Sequence, residues 1–164
     1  MPARAKIFRP RNELLVSSSK KNALRNAYFA CLIRQAAPVL FSDRKVTDLF
    51  DPSVRQKRKA LEKHHLFPRN FLLSKYGLEK RQINQVANFT YLEYADNVDI
   101  SDDPPRVYFE AIRKGQYRNK AEELSEMMST HGLPEKFYEM PYDEFLQARR
   151  PLMAKIVRET FESL

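Results

Sequence analysis

Four polar residues near the middle of the chain have types and spacing suited to metal-assisted hydrolysis. His64 and His65 are adjacent, and Asn97 follows Asn88 by nine positions. A neutral imidazole can bind a divalent cation, and a second imidazole can take a proton from water near neutral pH. An asparagine carbonyl oxygen is a suitable ligand for a hard cation. These four residues therefore form a candidate metal and acid–base site.

The segments around these residues predict the elements that must position them. Residues 88–92 are β-branched and aromatic with alternating apolar positions, which predicts a strand. Asn97 then falls on the first helical turn beyond that strand. Adjacent residues on an extended segment point to opposite faces, so His64 and His65 are expected to have different roles. Each asparagine taken alone also suits a cap or a turn, because asparagine readily bonds the nearby backbone.

The joint pattern resembles the HNH, or ββα-metal, nucleases. Three phrases carry the resemblance: HHLFPRNFL at 64–72, INQVANFTYL at 83–92 and NVDISDDPPRVYF at 97–109. More narrowly, these phrases look like the C-terminal HNH region of GmrSD-type, modification-dependent restriction endonucleases. The resemblance is strongest between about residues 60 and 110.

The resemblance implies a metal-dependent endonuclease domain that hydrolyses DNA phosphodiester bonds in a restriction or phage-defence system. It implies that His64 and Asn97 bind one divalent cation and that His65 is the general base. Asn88 would complete the catalytic set by fixing the loop around His65 through side-chain-to-backbone hydrogen bonds. Mg²⁺ is the favoured cation, and Mn²⁺ or Ni²⁺ are alternatives because histidine is a softer ligand than a carboxylate.

The positive charge of the chain lies before the histidine pair. The chain has a net charge of +8, and residues 1–63 carry 15 basic and 5 acidic side chains. Such asymmetry is expected of a face that binds a polyanion beside an active site, although a solvated basic helix is the alternative. The residues predicted to contact DNA are Arg55, Lys57, Arg58, Lys59, Lys63 and Arg69.

The predicted fold is mostly α-helical with a small inserted ββα-metal (HNH) unit, an α+β class. A length of 164 residues fits one domain with a core. Residues 1–16 are predicted to be a basic arm or linker, and residues 17–164 a single helical domain with the ββα-metal unit at about 60–100. Helices are predicted at 17–37, 43–50, 52–63, 69–76, 78–85, 105–114, 118–131 and 142–163.

Several side chains have predicted structural roles. Apolar residues cover nearly the whole circumference of the helix at 27–33, which predicts that it is the central core helix. Asp102 or Asp103 is predicted to cap the helix that begins at 104–105. His131 is predicted to have a structural role at a helix end, where a positive charge interacts favourably with the dipole. The core-facing stripe of the last helix is predicted to be Phe145, Leu152, Ile156 and Phe161.

The composition argues against several other classes of protein. No apolar run approaches the roughly 20 residues that span a bilayer, and the N-terminus lacks an apolar signal core. The chain is therefore expected to be cytoplasmic, with no membrane partner. Cys31 is the only cysteine, which excludes a cysteine-based zinc site within the chain and favours a small buried side chain.

Two other functions remain open at this point. The charge asymmetry equally suits a non-catalytic nucleic-acid-binding module with a degenerate nuclease fold, and the apolar helices suit an interaction domain. Nothing in the sequence resembles a phosphate-cradling glycine-rich loop. The chain is therefore expected to be a fragment, a split subunit or a solitary nuclease domain, and in the first two cases the nucleotide-hydrolysing region that accompanies GmrSD-type nucleases would lie on a partner domain or subunit.

Overall fold

A two-stranded antiparallel ribbon surrounded by helices positions the histidine pair in a computed structural model of the chain. Residues 23–50, 62–93 and 102–164 are described. Strand β1 is Glu62–His65 and strand β2 is Phe89–Leu92, and His65 pairs with Phe89 at one end of the ribbon. The predicted α+β class is confirmed. The helices are α1 Ala23–Arg34, α2 Arg69–Tyr76, α3 Lys80–Ile83, α4 Pro105–Lys114, α5 Ala121–Thr130 and α6 Tyr142–Glu162, with 3₁₀ turns at Val46–Phe50, Val86–Asn88 and Phe137–Glu139.

Local sequence signals set the bounds of the helices between the two strands. α2 follows Pro68 and ends at Gly77, whose φ of 62° is the left-handed conformation that glycine adopts without a steric penalty. α3 begins with a capping box in which the Glu79 N–H donates to Gln82 Oε1 at 2.9 Å. Both predicted helices are therefore confirmed within a few residues.

The first helix buries one face and not its whole circumference. Leu24, Tyr28, Cys31 and Leu32 are buried, whereas the opposite face, which includes Ala30, is exposed. The helix therefore contributes one face to the core, and Ala27, Phe29 and Ile33 are partly buried against that core. The buried position predicted for Cys31 is confirmed.

The last helix has the predicted bounds but a different buried face. Phe145 is fully buried, as predicted, whereas Phe161 is 52% exposed, and Leu152 and Ile156 are only partly buried. Arg149 belongs to the buried face although it is charged, so hydrophobic periodicity alone misplaced that face. The buried residues are Tyr142, Phe145, Leu146, Arg149, Met153, Ala154, Val157 and Thr160.

Neither Asp102 nor Asp103 caps α4. Pro104 occupies the N-cap position and makes no side-chain cap bond. The N–H of Val107, which a capping side chain could satisfy, donates instead to the Pro104 carbonyl oxygen at 2.8 Å. Asp102 instead accepts a hydrogen bond from Asn70 Nδ2 at 2.7 Å. This carboxylate therefore ties the turn before α4 to α2.

Some predictions fall on residues 1–22, 51–61 and 94–101, which lie outside the described residues. These are the arm at 1–16, most of the helix at 52–63 and the turn with Asn97. The predicted helix does not reach residue 63, because Glu62 and Lys63 belong to β1 and pair with β2. In the part of the chain that is described, every helix is too short or too polar to cross a membrane.

His131 is a neutral residue buried at the end of α5. It is 2% exposed, and its Nε2 donates to the Pro38 carbonyl oxygen at 2.7 Å. Burial lowers the pKa of His131 to about 4, and the nearby charge of Arg149 acts in the same direction. The structural role predicted for His131 is supported, but the favourable interaction of a charged His131 with the helix dipole is absent at neutral pH.

The free energy of unfolding should therefore fall as the pH is lowered from about 6.5 towards 4. In this range the unfolded chain protonates His131 and the folded chain does not. A pKa lowered from 6.5 to about 4 corresponds to a loss of roughly 3 kcal/mol. Denaturant unfolding at pH 7.5, 5.5 and 4.5 measures this loss. The variant His131→Gln should lack the part of the pH dependence that comes from His131. An equally steep pH dependence in the variant would show that another group causes the loss of stability.

Candidate active site

The two adjacent histidines lie on opposite faces of the β1–β2 ribbon. His64 pairs with Thr90 and is 7% exposed, whereas His65 pairs with Phe89 and is half-buried. Consecutive strand residues point to opposite faces, so the two rings have different surroundings. This difference was expected from the sequence and allows the two imidazoles to have separate roles.

The ring of His65 is oriented by Asn84 and by Phe89. Its Nε2 lies 2.9 Å from Asn84 Oδ1, and its ring centroid lies 4.3 Å from that of Phe89. A carbonyl oxygen only accepts hydrogen bonds, so Nε2 carries the proton and Nδ1 is the basic nitrogen of the ring. The site therefore selects the tautomer in which Nδ1 can take a proton.

Asn88 ties the segment after His65 to the connection between the strands. It is fully buried, and its Oδ1 accepts a hydrogen bond from the Phe67 N–H at 2.9 Å. Its Nδ2 donates to the carbonyl oxygens of Phe67 and Ile83, both at 3.2 Å. The side-chain-to-backbone bonds that the sequence predicted for Asn88 are present. With both ends of its amide bonded to the main chain, Asn88 is placed to fix the loop.

Three further side chains bond main-chain carbonyls of the same region. The Tyr108 hydroxyl donates to Leu66 at 2.8 Å, and the Tyr142 hydroxyl lies 2.9 Å from the carbonyl oxygen of Gln82. Arg149 Nη1 donates to the carbonyl oxygens of Ala87 at 2.7 Å and Phe89 at 3.0 Å. Helices α4 and α6 therefore hold the main chain that follows His65 and the main chain on either side of Asn88.

Sequence reasoning did not assign a functional role to Asn84, Tyr108, Tyr142 or Arg149. Asn84 lies in the INQVAN phrase, four positions before Asn88, and this spacing was the only signal that could have selected it. The other three bond carbonyl groups that lie 42 to 62 positions away in the chain. A carbonyl group is present at every residue, so no sequence motif marks such a partner.

The described residues contain part of the predicted metal and DNA sites. His64 is the described member of the ligand pair, and Asn97 lies outside the described residues. Among the described residues, no group of three or more His, Cys, Asp or Glu could hold a metal ion. An imidazole suits a transition metal such as Ni²⁺ as one nitrogen ligand, whereas Mg²⁺ prefers oxygen ligands such as the amide carbonyl of an asparagine.

Of the predicted DNA contacts, Arg69 is exposed at the first position of α2, close in sequence to the histidine pair. The main chain of Lys63 belongs to β1. The other four predicted contacts, Arg55, Lys57, Arg58 and Lys59, fall outside the described residues.

Two surface cavities do not coincide with the histidine pair. One of about 300 Å³ is lined by residues that include Phe41, Glu93 and Lys120, and one of about 400 Å³ lies between α5 and α6. Neither is lined by His64 or His65.

Comparisons of the chain with protein-family models, with curated proteins and with solved structures find no match.

Proposed function

We propose that the chain is a metal-dependent endonuclease domain of the HNH type that hydrolyses phosphodiester bonds in DNA. The observation that carries the proposal is the orientation of His65 at the end of the ribbon. Its Nε2 is bonded to Asn84 Oδ1 at 2.9 Å, and Asn88 fixes the adjoining main chain. A general base must be held in one orientation and one tautomer, and this arrangement supplies both.

In this proposal, Nδ1 of His65 takes a proton from the water molecule that attacks the phosphorus atom. The ring then becomes a cation, and its Nε2–H remains bonded to the amide oxygen of Asn84. The dipole of that amide stabilises the imidazolium as its charge develops. Asn84 thus acts on the base in both of its protonation states, which explains why a neutral amide suits this position.

His64 and Asn97 would hold the divalent cation, with Mg²⁺ favoured and Mn²⁺ or Ni²⁺ as alternatives. The chemistry supplied by a bound cation would be contact with the scissile phosphate and stabilisation of the charge on the leaving 3′ oxygen. The near-complete burial of His64 keeps its imidazole in a fixed position. The rotational entropy lost on metal binding is therefore already lost in the folded protein.

The wider setting belongs to the same proposal and rests on the resemblance to GmrSD-type enzymes. It includes a restriction or phage-defence system, the cytoplasm, and a nucleotide-hydrolysing partner domain or subunit. The ββα-metal unit is proposed at about residues 60–100. The exposed side chain of Arg69 supports a DNA contact beside the histidine pair.

Plasmid cleavage tests the proposed function. The purified chain should nick or linearise supercoiled plasmid in the presence of Mg²⁺, Mn²⁺ or Ni²⁺ and should be inactive in EDTA. A His65→Ala protein purified in parallel controls for contaminating nucleases. Cleavage that persists equally in EDTA, or no cleavage with any of the three metals, would reject the proposal.

A non-catalytic nucleic-acid-binding module is the second candidate function. The observation that favours it is the net charge of +10 over residues 1–63, which contain 15 basic and 5 acidic side chains. This surplus suits a polyanion partner whether or not the site is catalytic. DNA binding without cleavage in any metal would support this candidate over the nuclease.

Both candidates predict that replacing Arg55, Arg58 and Lys59 by alanine weakens DNA binding. Each lost phosphate contact reduces counterion release, so the slope of log affinity against log salt should fall by about 0.9 per contact. Binding titrations at several salt concentrations measure this slope. The matched control replaces three exposed basic residues within residues 104–164, where basic and acidic side chains are equal in number. These residues are Lys114, Lys155 and Arg158. If both triple variants behave alike, residues 55–59 do not form the DNA face.

A further inference from the structure

Arg149 is a fully buried arginine that bonds the main chain of the candidate active site. Its Nη1 donates to the carbonyl oxygens of Ala87 and Phe89, at 2.7 and 3.0 Å, and its Nη2 lies 3.5 Å from that of His131. Removal of a guanidinium from water is costly, and a well-packed apolar side chain often serves stability as well. A buried cation at this position therefore points to a role beyond packing.

The two carbonyls bonded by Arg149 lie on either side of Asn88, and this turn contacts His65. The N–H of Leu66, the residue after His65, donates to the Asn88 main-chain oxygen at 2.8 Å. Phe89 is the strand partner of His65, and the two rings are 4.3 Å apart. One nitrogen of Arg149 therefore holds the main chain of Phe89, the residue whose ring contacts the His65 ring.

We propose that Arg149 is a positioning residue for His65 in the proposed reaction, an inference that rests on the proposed function. Arg149 fixes residues 87–89, and the Phe89 ring in turn supports the His65 imidazole. This support keeps Nε2 of His65 within hydrogen-bond distance of Asn84 Oδ1. Arg149 touches no reacting atom and acts through the main chain on the tautomer and orientation of the base.

Lysine is the informative replacement at this position. The guanidinium is planar, so the two hydrogens of Nη1 point in fixed directions towards the two carbonyls. A lysine ammonium keeps the charge and the capacity to donate, but it lacks that fixed plane. The variant Arg149→Lys therefore separates the geometry of the contact from the presence of a buried charge.

The test compares Arg149→Lys with Val157→Ala. Val157 is buried on the same helix and has an apolar side chain without hydrogen bonds, so its truncation lowers stability without changing the contacts at Ala87 and Phe89. Unfolding curves give the folded fraction of each variant. Cleavage of a duplex oligonucleotide gives kcat and KM, and the ¹⁵N chemical shifts of the ring nitrogens report the tautomer of His65.

Arg149→Lys is expected to lower kcat by about 10²-fold at an unchanged KM, the size of effect that a displacement of about 1 Å can have. It should also raise the share of the Nδ1–H tautomer of His65. Val157→Ala should change neither quantity once its folded fraction is taken into account. Equal kcat values and equal ring shifts in the two variants would overturn the inference.

Phe89→Leu provides a second route if Arg149→Lys does not fold. This variant keeps Arg149 and removes the ring that supports His65, so it should shift the tautomer in the same direction. An unshifted tautomer in Phe89→Leu would overturn the inference. If the parent protein cuts no DNA with any metal, the proposed function fails. The ring shifts of the folded variant still decide whether Arg149 positions His65.

Discussion

Replacement of His65 by alanine should abolish most metal-dependent cleavage while the protein stays folded and still binds metal and DNA. A positioned general base contributes about 10²–10⁴-fold to the rate. The side chain is half-buried and contacts Asn84 and Phe89, so its loss should cost only about 1 kcal/mol of stability. Single-turnover cleavage measures the rate, circular dichroism measures the fold, and calorimetry measures metal binding.

The pH dependence of cleavage and the adjacent histidine provide the controls for this result. The rate of the parent should rise with pH through the range in which histidines titrate, and the residual rate of His65→Ala should lack this rise. The matched variant His64→Ala should lose metal binding, as should Asn97→Ala. If His65→Ala loses the metal while His64→Ala keeps it and cannot cut, the two roles are exchanged. Cleavage by His65→Ala at the parental rate would reject the nuclease proposal.

Replacement of Asn88 by alanine should lower the free energy of unfolding by about 3 kcal/mol or more. Asn88 is fully buried, and its loss leaves the N–H and the carbonyl oxygen of Phe67 without their side-chain partner. The Ile83 carbonyl oxygen also loses its bond to Asn88 but still accepts from the Tyr142 hydroxyl at 3.0 Å. Each buried group left unsatisfied costs roughly 1–3 kcal/mol. Cleavage should also be lost, because the main chain after His65 is then no longer fixed. Urea unfolding of the variant measures the destabilisation.

Asn84→Ala is the comparison for Asn88→Ala. Asn84 is half-buried, and its side chain bonds the His65 ring. Its removal should therefore cost less than about 1.5 kcal/mol of stability, the upper end of the contribution of one ordinary hydrogen bond. Equal destabilisation by the two variants would show that the buried hydrogen bonds of Asn88 do not stabilise the loop after His65 more than the Asn84 contact does.

The fold was predictable wherever the sequence carries a local signal. Gly77 ends α2 in a left-handed conformation, and the alternating residues at 89–92 form β2. The bounds of α4 at Pro105–Lys114 agree with those predicted from the proline pair and from Gly115. These features depend on neighbouring residues, whose conformational preferences act over a few positions in the chain.

The features that the sequence did not reveal depend on distant partners. Arg149 lies on the buried face of α6 because carbonyl oxygens of β2 and its preceding turn accept its hydrogen bonds. A hydrophobic pattern treats any arginine as a surface residue, so it assigned Phe161 to the core instead. The contact of Asn84 with His65 joins residues 19 positions apart, and it exists only because β1 and β2 pair in one register.

The hydrogen bonds from α6 to the strand connection limit how far this site can be transplanted. A fragment that ended after β2 would contain His64, His65 and Asn88 but would lack both Tyr142 and Arg149. The carbonyl groups that these two side chains bond would then face solvent, and the ribbon would have no rigid support. A graft of residues 60–100 onto another scaffold should therefore transfer the motif without its geometry. The smallest portable unit of the site includes α6.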